Sequence, residues 1–414
     1  MNAEIIAIGS ELLTPYRQDT NSLYLTDKLN QMGVEVSFKT IVGDSLENLV
    51  QAATVGFARA DVIIFMGGLG PTEDDLTREA VAAALGLSLR RDPAIVTWLE
   101  ERFAAHGWKM AANNLKQADV IEGATVLPNK NGSAPGMWIS GKYDGRAKIT
   151  ILLPGPPHEL KALFEEQCIE RLRAKLPEQF IVTRELKITG MGESQCDARV
   201  APIYKTFADV QTTILAGAGE IQLHLKTRAL TLERAQKRVD ELVELLEVEL
   251  GDFVFSDNGD SMEQIVGYYL QMRNSTLAVA ESCTGGLIGE RITSVNGSSR
   301  YFLGGAVVYS NPMKTELAGV PARLIEKEGA VSSKVAAALA EGIRARCGST
   351  LGLAVTGVAG PNGGTPEKPV GLVFHALASD SGTEVVERKF PGDRKRIRWF
   401  ASQQALDMVR RKLK

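Results

Sequence analysis

Thr276-Leu277-Ala278-Val279-Ala280-Glu281-Ser282-Cys283-Thr284-Gly285-Gly286 is the stretch that decides the fold of the C-terminal third. Four consecutive apolar residues lead to Glu281, a serine and, after two more residues, a pair of glycines. An unbroken apolar run, rather than strict alternation, is what a strand buried on both faces requires. Helical spacing follows the glycines, so the unit reads strand, turn, helix. Such turns sit at the carboxyl ends of strands in open α/β sheets, where those sheets bind ligands.

The same grammar recurs outward from this unit. Ile5-Ile6-Ala7-Ile8 runs into Gly9, residues 61–66 run into Gly67 and Gly68, and residues 148–153 run into Pro154-Gly155-Pro156-Pro157. Residues 21–32 carry Leu23, Leu25 and Leu29 at helical spacing and are stopped by Gly33. Residues 34–42 read as a strand and 46–60 as a helix. Residues 176–255 differ. A strand over 181–189 and a helix over 193–207 precede the alternating Ile221-Gln222-Leu223-His224-Leu225-Lys226, and a charged amphipathic helix over 230–250 closes the segment. His224 reads as a half-exposed strand residue. Further strands at 305–309, 351–356 and 370–377 and helices at 332–346 and 394–412 follow the opening stretch. The last helix is basic and reads as a solvated amphipathic helix. The chain is thus expected to be α/β throughout: a three-layer α/β domain over 1–175, a small α+β connector over 176–255 and a second α/β domain over 256–414.

Composition bounds the function. The 414 residues are 44% hydrophobic and 23% charged with a net charge of −3, which gives no bulk basic field for nucleic acid. Cys168, Cys196, Cys283 and Cys347 form no CxxC pair, so neither a zinc site nor a disulfide framework is indicated and a reducing cytoplasm is expected. No apolar run approaches the roughly 20 residues of a membrane span. The expected partners are small molecules and a second copy of the chain, with neither membrane nor nucleic acid among them.

Ser282 needs a base before it can act as a nucleophile. The only histidine of the C-terminal third, His375, lies in an alternating strand, so a Ser-His-Asp triad is poorly supported. Lys314 is the better base if burial lowers its pKa, with Tyr309 to relay the proton or orient the amine. Thr284, Gly285 and Gly286 are the candidate substrate contacts of the same turn, and Thr356 and Gly357 open a second glycine turn. The competing reading makes Ser282 and Thr284 helix caps. Cys283, a rival nucleophile, reads as core packing. In the N-terminal third Gly67, Gly68, Gly70 and Thr72 form a candidate anion cradle at a helix start. Asp74 and Asp75 beside it either bind a hard divalent ion such as Mg²⁺ or Mn²⁺ or merely open the helix.

Glu281 to Gly286, Val308-Tyr309-Ser310-Asn311, Lys314, Gly329-Ala330-Val331-Ser332, Thr356-Gly357-Val358-Ala359-Gly360-Pro361, Gly363-Gly364-Thr365, Lys368-Pro369-Val370-Gly371 and Phe390-Pro391-Gly392-Asp393-Arg394 together resemble the CinA C-terminal domain. Gly9-Ser10-Glu11-Leu12-Leu13, Asp19-Thr20-Asn21, Gly67 to Thr72, Asp74, Asp75, Thr77 and Leu153 to Glu159 resemble the MoaB-like molybdopterin-binding fold found at the N-terminus of full-length CinA proteins. The resemblance implies hydrolysis of nicotinamide mononucleotide (NMN) to nicotinate mononucleotide and ammonia, without a cofactor. Ser282 would be the nucleophile, Tyr309 and Lys314 would activate it, Thr356 and Gly357 would contact substrate, and Arg394 or Arg398 would pair with the phosphate. It also implies a metal-dependent ADP-ribose pyrophosphatase in the N-terminal domain. There the chain departs from the pattern at Thr14-Pro15-Tyr16-Arg17, where relatives usually have a glycine. The family's competence label adds a role in DNA uptake or repair, for which the 394–412 helix is the only candidate surface.

Overall fold

The computed structural model describes residues 1–176 and 179–414. They form two compact units, one of Met1–Val182 with Arg228–Gln236, the other of Thr183–Thr227 with Lys237–Lys414.

The first unit is built on a six-stranded sheet in the order Glu35–Val42, Asn2–Ile8, Val62–Met66, Arg146–Leu153, Gly136–Tyr143, Thr125–Leu127. The first four strands are parallel and the last two turn back antiparallel. Because side chains alternate along a strand, each strand feeds two cores. Ile5, Ile64 and Ile151 pack with Leu25, Leu29 and Phe164 on one face. Ile6, Ile63, Phe65 and Leu152 pack with Leu49, Phe57 and Val81 on the other. This is the expected three-layer α/β arrangement. The helix Asn21–Gln31 uses Leu25 and Leu29 as expected, but Leu23 is exposed and Ser22 takes the inward position. Asp19 accepts from the Ser22 amide at 2.9 Å and from its hydroxyl, which lets a serine sit there.

The small module folds as strand, helix, two strands, helix, strand: Phe180–Ile188, Glu193–Tyr204, Val210–Ala216, Ile221–Ala229, Leu232–Leu250 and Val254–Ser256. Its sheet order puts the first strand between the third and the fourth, the split βαβ pattern. His224 is half-buried on the third strand, as read from its alternation.

The C-terminal sheet runs Phe302–Val307, Leu277–Glu281, Leu351–Gly357, Leu372–Ser379, Gly382–Lys389. The first three are parallel, the last two antiparallel. Helices Met262–Met272 and Arg394–Leu413 cover one face, through Val266, Leu270, Ala405 and Val409. Helix Ser333–Cys347 covers the other through Val335, Leu339 and Ile343.

The helix Arg394–Leu413 corrects the sequence reading. It is not a solvated basic surface: Ile397, Ala401, Ala405, Leu406 and Val409 are core, and Arg410 is only 1% exposed. Its guanidinium is neutralised by Asp407 at 2.8 Å and donates to the Asp252 carbonyl at 2.6 Å, which offsets the cost of burial.

One close approach fixes the C-terminal fold around the site. A Cβ on Gly342, within Ser333–Cys347, would lie 1.7 Å from the carbonyl oxygen of Ala318, at the end of the Asn311–Ala318 helix. Alanine is favoured over glycine in a helix by about 1 kcal/mol, but overpacking against backbone that cannot give costs about 1–3 kcal/mol or more. Gly342→Ala is therefore expected to lower stability by about 2 kcal/mol net, read as a reduced urea midpoint at unchanged m-value.

Candidate active site

The strand Leu277–Glu281 is held on both sides. The Ser282 amide donates to the Val355 carbonyl at 2.9 Å and the Val308 amide to the Glu281 carbonyl at 2.8 Å. Ser282 thus leaves the sheet at the carboxyl edge, between the ends of its two parallel neighbours. The chain then turns through Gly285 (φ +60°) and Gly286 (φ +93°) into the helix Leu287–Thr293.

That helix is capped by Glu281, a role the sequence reading missed. Its carboxylate, 2% exposed, accepts from the amides of Gly286 (3.0 Å), Ile288 (3.0 Å) and Gly289 (2.8 Å). A carboxylate on three amides at a helix N-terminus is a strong, charge-assisted cap. Ser282 and Thr284 do not cap the helix. Among the described residues the Ser282 hydroxyl forms no hydrogen bond, and the Thr284 hydroxyl is buried without a partner. The signal that could have found the cap is an acidic residue at the end of an otherwise apolar strand, a few residues before a helix.

Cys283 faces the core, and burial pushes its thiol up to about 12, so it is a poor nucleophile. His375 is fully buried with its Nε2 3.1 Å from the Ala401 carbonyl, and burial lowers its pKa to about 4. It is a structural strand residue, and its imidazole stays clear of the Ser282 turn's hydrogen bonds.

Lys314 enters from the helix Asn311–Ala318, which Ser310 caps and Pro312 helps start. The lysine is 2% exposed. Its Nζ donates to the carbonyls of Val308 (3.0 Å) and Tyr309 (3.2 Å), at the end of the strand beside Ser282. Burial lowers its pKa, and the nearby Cys283 thiol offsets part of the shift. The tyrosine contact therefore runs through its backbone; the side chain, 57% exposed, accepts at its phenol oxygen from Arg394 Nη2 at 2.8 Å.

The two arginines organise the loops. Arg394 also donates to the Gly360 carbonyl at 2.8 Å, linking Tyr309 to the second glycine turn. Arg398 donates through Nε (3.1 Å) and Nη2 (2.6 Å) to the Thr284 carbonyl. Thr356 is buried and donates to the Ala330 carbonyl at 2.8 Å, and a Cβ on Gly357 would lie 2.6 Å from the Leu372 carbonyl. The structure thus gathers Ser282, Thr284, Gly285, Gly286, Tyr309, Lys314, Thr356, Gly357, Arg394 and Arg398 around one edge of the sheet.

In the first unit Gly67, Gly68, Gly70, Thr72, Asp74 and Asp75 line a cavity of about 310 Å³. Gly67 (φ +98°) lies so close to the next strand end that a Cβ would meet the Ile8 carbonyl at 2.4 Å. Asp75 accepts from the Thr72 amide at 2.8 Å and from its hydroxyl. Asp74 is exposed, and its carboxyl is held below the ordinary range chiefly by a hydrogen bond to Thr72. Arg78, which sequence reading passed over, is fully buried and donates to the carbonyls of Leu69 (2.9 Å) and Gly70 (3.0 Å), setting the loop's shape.

These two edges of two α/β sheets have counterparts in described families. Residues 259–413 match the CinA C-terminal domain, residues 4–174 a probable molybdopterin binding domain, and residues 183–256 the damage-inducible protein CinA KH domain. A CinA-like protein of Koribacter versatilis is 63% identical over 413 residues, covering all of both chains, and one of Acidobacterium capsulatum is 57% identical over the same span. A putative competence-damage inducible protein of Caldicellulosiruptor bescii is 41% identical, covering all of this chain and 99% of its own. The chain belongs to the CinA-like family. Its 183–256 segment contains no Gly-x-x-Gly, the loop with which nucleic-acid-binding KH modules clamp a backbone.

The Glu281 cap is open to direct test. In Glu281→Gln the amide NH₂ must face N–H donors, so one buried charge-assisted bond is lost and a donor is left unpaired. A loss of about 2 kcal/mol is expected in thermal or urea unfolding, while Glu290→Gln, an exposed acid of the same helix, stays near wild type.

Proposed function

We propose that the Ser282 edge is an amidohydrolase site acting on NMN. The observation that carries this reading is the state of Lys314: buried, its pKa lowered, two carbonyls on its Nζ and no ion pair among the described residues. A neutral amine has two N–H bonds and one lone pair. In the deprotonated form of Lys314, Val308 and Tyr309 would take the two N–H bonds and leave the lone pair as acceptor for the Ser282 proton. Ser282 Oγ then attacks the carboxamide carbon, and backbone N–H groups of its turn receive the oxyanion. Lys314 returns the proton to the departing nitrogen, ammonia leaves, and water activated by the same amine releases nicotinate mononucleotide. Arg394 and Arg398 bond only to neutral oxygens, so both charges are available to the substrate phosphate. The exposed Tyr309 phenol, with its oxygen held by Arg394, supports a role in orienting substrate.

A second reading concerns the N-terminal cavity, where Glu11, Asp44, Asp74, Asp75 and Glu159 line a glycine cradle without a lysine or arginine among the lining residues. Such a wall suits a phosphate ligand only with a hard cation between them. No three metal-ligating side chains converge among the described residues. Asp74 and Asp75 would therefore hold the ion together with oxygens of the ligand itself. This is the basis for proposing metal-dependent cleavage of ADP-ribose there.

Ammonia release from NMN by purified protein is the test of the first reading. Ser282→Ala is expected to lose at least about 10³-fold in kcat/KM, Lys314→Met to lose similarly, and Cys283→Ala to keep its activity. Ammonia release by Ser282→Ala at the wild-type rate would sink the assignment.

The pH dependence follows from the direction of the Lys314 shift. Only the deprotonated amine is a base, so kcat/KM rises with pH through a value below the ordinary 10.5. The unfolded chain binds the proton more tightly than the folded one, so this residue makes stability rise with pH from the depressed value up to 10.5. Lys314→Met is expected to remove that slope and to keep or raise the melting temperature at neutral pH while activity falls.

For the second reading, chelator is expected to abolish ADP-ribose turnover and Asp74→Asn to weaken it, both leaving ammonia release intact. Equal sensitivity of the two activities to chelator would contradict the division of labour.

A further inference from the structure

The cavity beside the Gly67–Thr72 loop has carboxylates on its walls and no lysine or arginine, so a ligand there depends on the few hydrogen-bond donors the walls supply. Two lining residues carry a hydroxyl, Thr72 and Ser133. Thr72 gives both its amide and its hydroxyl to Asp75. Ser133 stands just before the strand Gly136–Tyr143 and is partly exposed. The state of its hydroxyl follows from a chain of side chains that begins at the backbone.

The Ala111 amide donates to Asn114 Oδ1 at 3.2 Å. A backbone N–H can only donate, so this contact fixes which way the Asn114 amide lies. Asn114 Nδ2 is then the donor to Gln117 Oε1 at 3.2 Å, and Gln117 Nε2 the donor to Ser133 Oγ at 3.1 Å. Both amides are buried, and turning either one over would set like groups against each other. Every link thus hands on a proton in the same direction. Ser133 Oγ accepts on its Gln117 side, so its own O–H points elsewhere. No described residue accepts that proton. Gln117 and Ser133 both line the cavity, which leaves the proton for a ligand oxygen there.

We infer that Ser133 is a ligand-binding residue that donates to an oxygen of the molecule held in this cavity, with Gln117 and Asn114 as the positioning residues that keep its hydroxyl in the donating sense. Beside carboxylates that sense matters. A hydroxyl presenting its lone pairs would add to the repulsion of an anion, and one presenting its proton offsets it. A phosphoryl oxygen is the acceptor that gains most, since hydrogen bonds to charged oxygens are the stronger ones. Lys116, on the same short helix Ala112–Ala118 as Asn114 and Gln117, donates to the Thr72 carbonyl at 3.2 Å. The segment that aims Ser133 therefore also braces the glycine loop. The ligand's identity as ADP-ribose rests on the second reading above; the direction of the hydroxyl does not.

The probe is the α,β-methylene analogue of ADP-ribose, which resists cleavage, titrated calorimetrically into the full chain with Mg²⁺ present. Ser133→Ala is expected to weaken its binding at least about tenfold, and Ser133→Thr, which keeps a hydroxyl, to restore most of the loss. Gln117→Met keeps the volume and removes the donor. It should weaken the analogue on its own and add nothing to Ser133→Ala, a coupling that a general loosening of the fold would not produce. Should Gln117→Met fail to fold, the Ser133→Ala and Ser133→Thr pair decides alone. Folded wild type that binds no analogue, or Ser133→Ala that binds it as wild type does, would overturn the inference. Turnover of ADP-ribose itself separates this from the cleavage reading. Turnover with an unchanged KM in Ser133→Ala sinks only the role of Ser133, and Ser133-dependent binding without turnover sinks only the cleavage. Where both hold, Ser133→Ala should raise KM and leave kcat nearly unchanged.

Discussion

A single carboxylate holding three backbone amides organises the C-terminal unit. Glu281 stands at the last position of a fully buried strand, and its side chain reaches forward to the start of the following helix. The intervening residues are therefore pinned at both ends, and Ser282 is the first of them. With the cap supplied by Glu281, the serine hydroxyl is released from the structural duty that a serine before a helix normally performs. The neighbouring strands fix where the turn stands, the glycines give it the needed curvature, and Arg398 ties its outer side to the C-terminal helix. Take away the carboxylate and the helix start, the turn and the arginine contact lose their common reference.

The C-terminal helix serves two ends at once. Its apolar side belongs to the core, and its first turns carry the two arginines that span the loops at the strand ends. Both arginines are engaged by carbonyl or phenol oxygens and neither by a carboxylate. Neutral acceptors position a guanidinium without cancelling its charge. The same device recurs at Arg388, held by the Glu387 carbonyl and Gln404 Oε1. In the first unit Arg78 bonds only carbonyls too, but it is wholly buried and shapes a loop whose surroundings are acidic.

Much of this was legible in the sequence. Buried parallel strands announce themselves as apolar runs ending in glycine, and every such run became a strand of one of the two large sheets. Ser282, Tyr309 and the glycine turns stand at one edge as their positions just after strands required, and Lys314 reaches it from the helix that follows. What escaped depends on contacts the chain makes with distant parts of itself. Nothing local tells that Glu281 folds onto three amides, that Arg78 is buried in its own loop, or that Tyr309 meets Lys314 by its carbonyl. The helix 394–412 misled for a related reason. Its arginines gave it a solvated appearance, yet Arg410 is neutralised inside by Asp407 and the Asp252 carbonyl, partners that no helical periodicity reveals.

The contact at Gly342 sets how this domain can vary. The helix that carries Lys314 rests its final carbonyl on bare backbone, with no side chain interposed. A side chain aimed through layers of core side chains feels a change in any of those layers. Here the lever arm is main chain against main chain, so its length is set by atoms that substitution cannot alter. The apolar residues around it can be exchanged for others of similar volume while the amine stays in register with the sheet edge. A designer reshaping this sheet edge would find the side chains of the core permissive and position 342 closed.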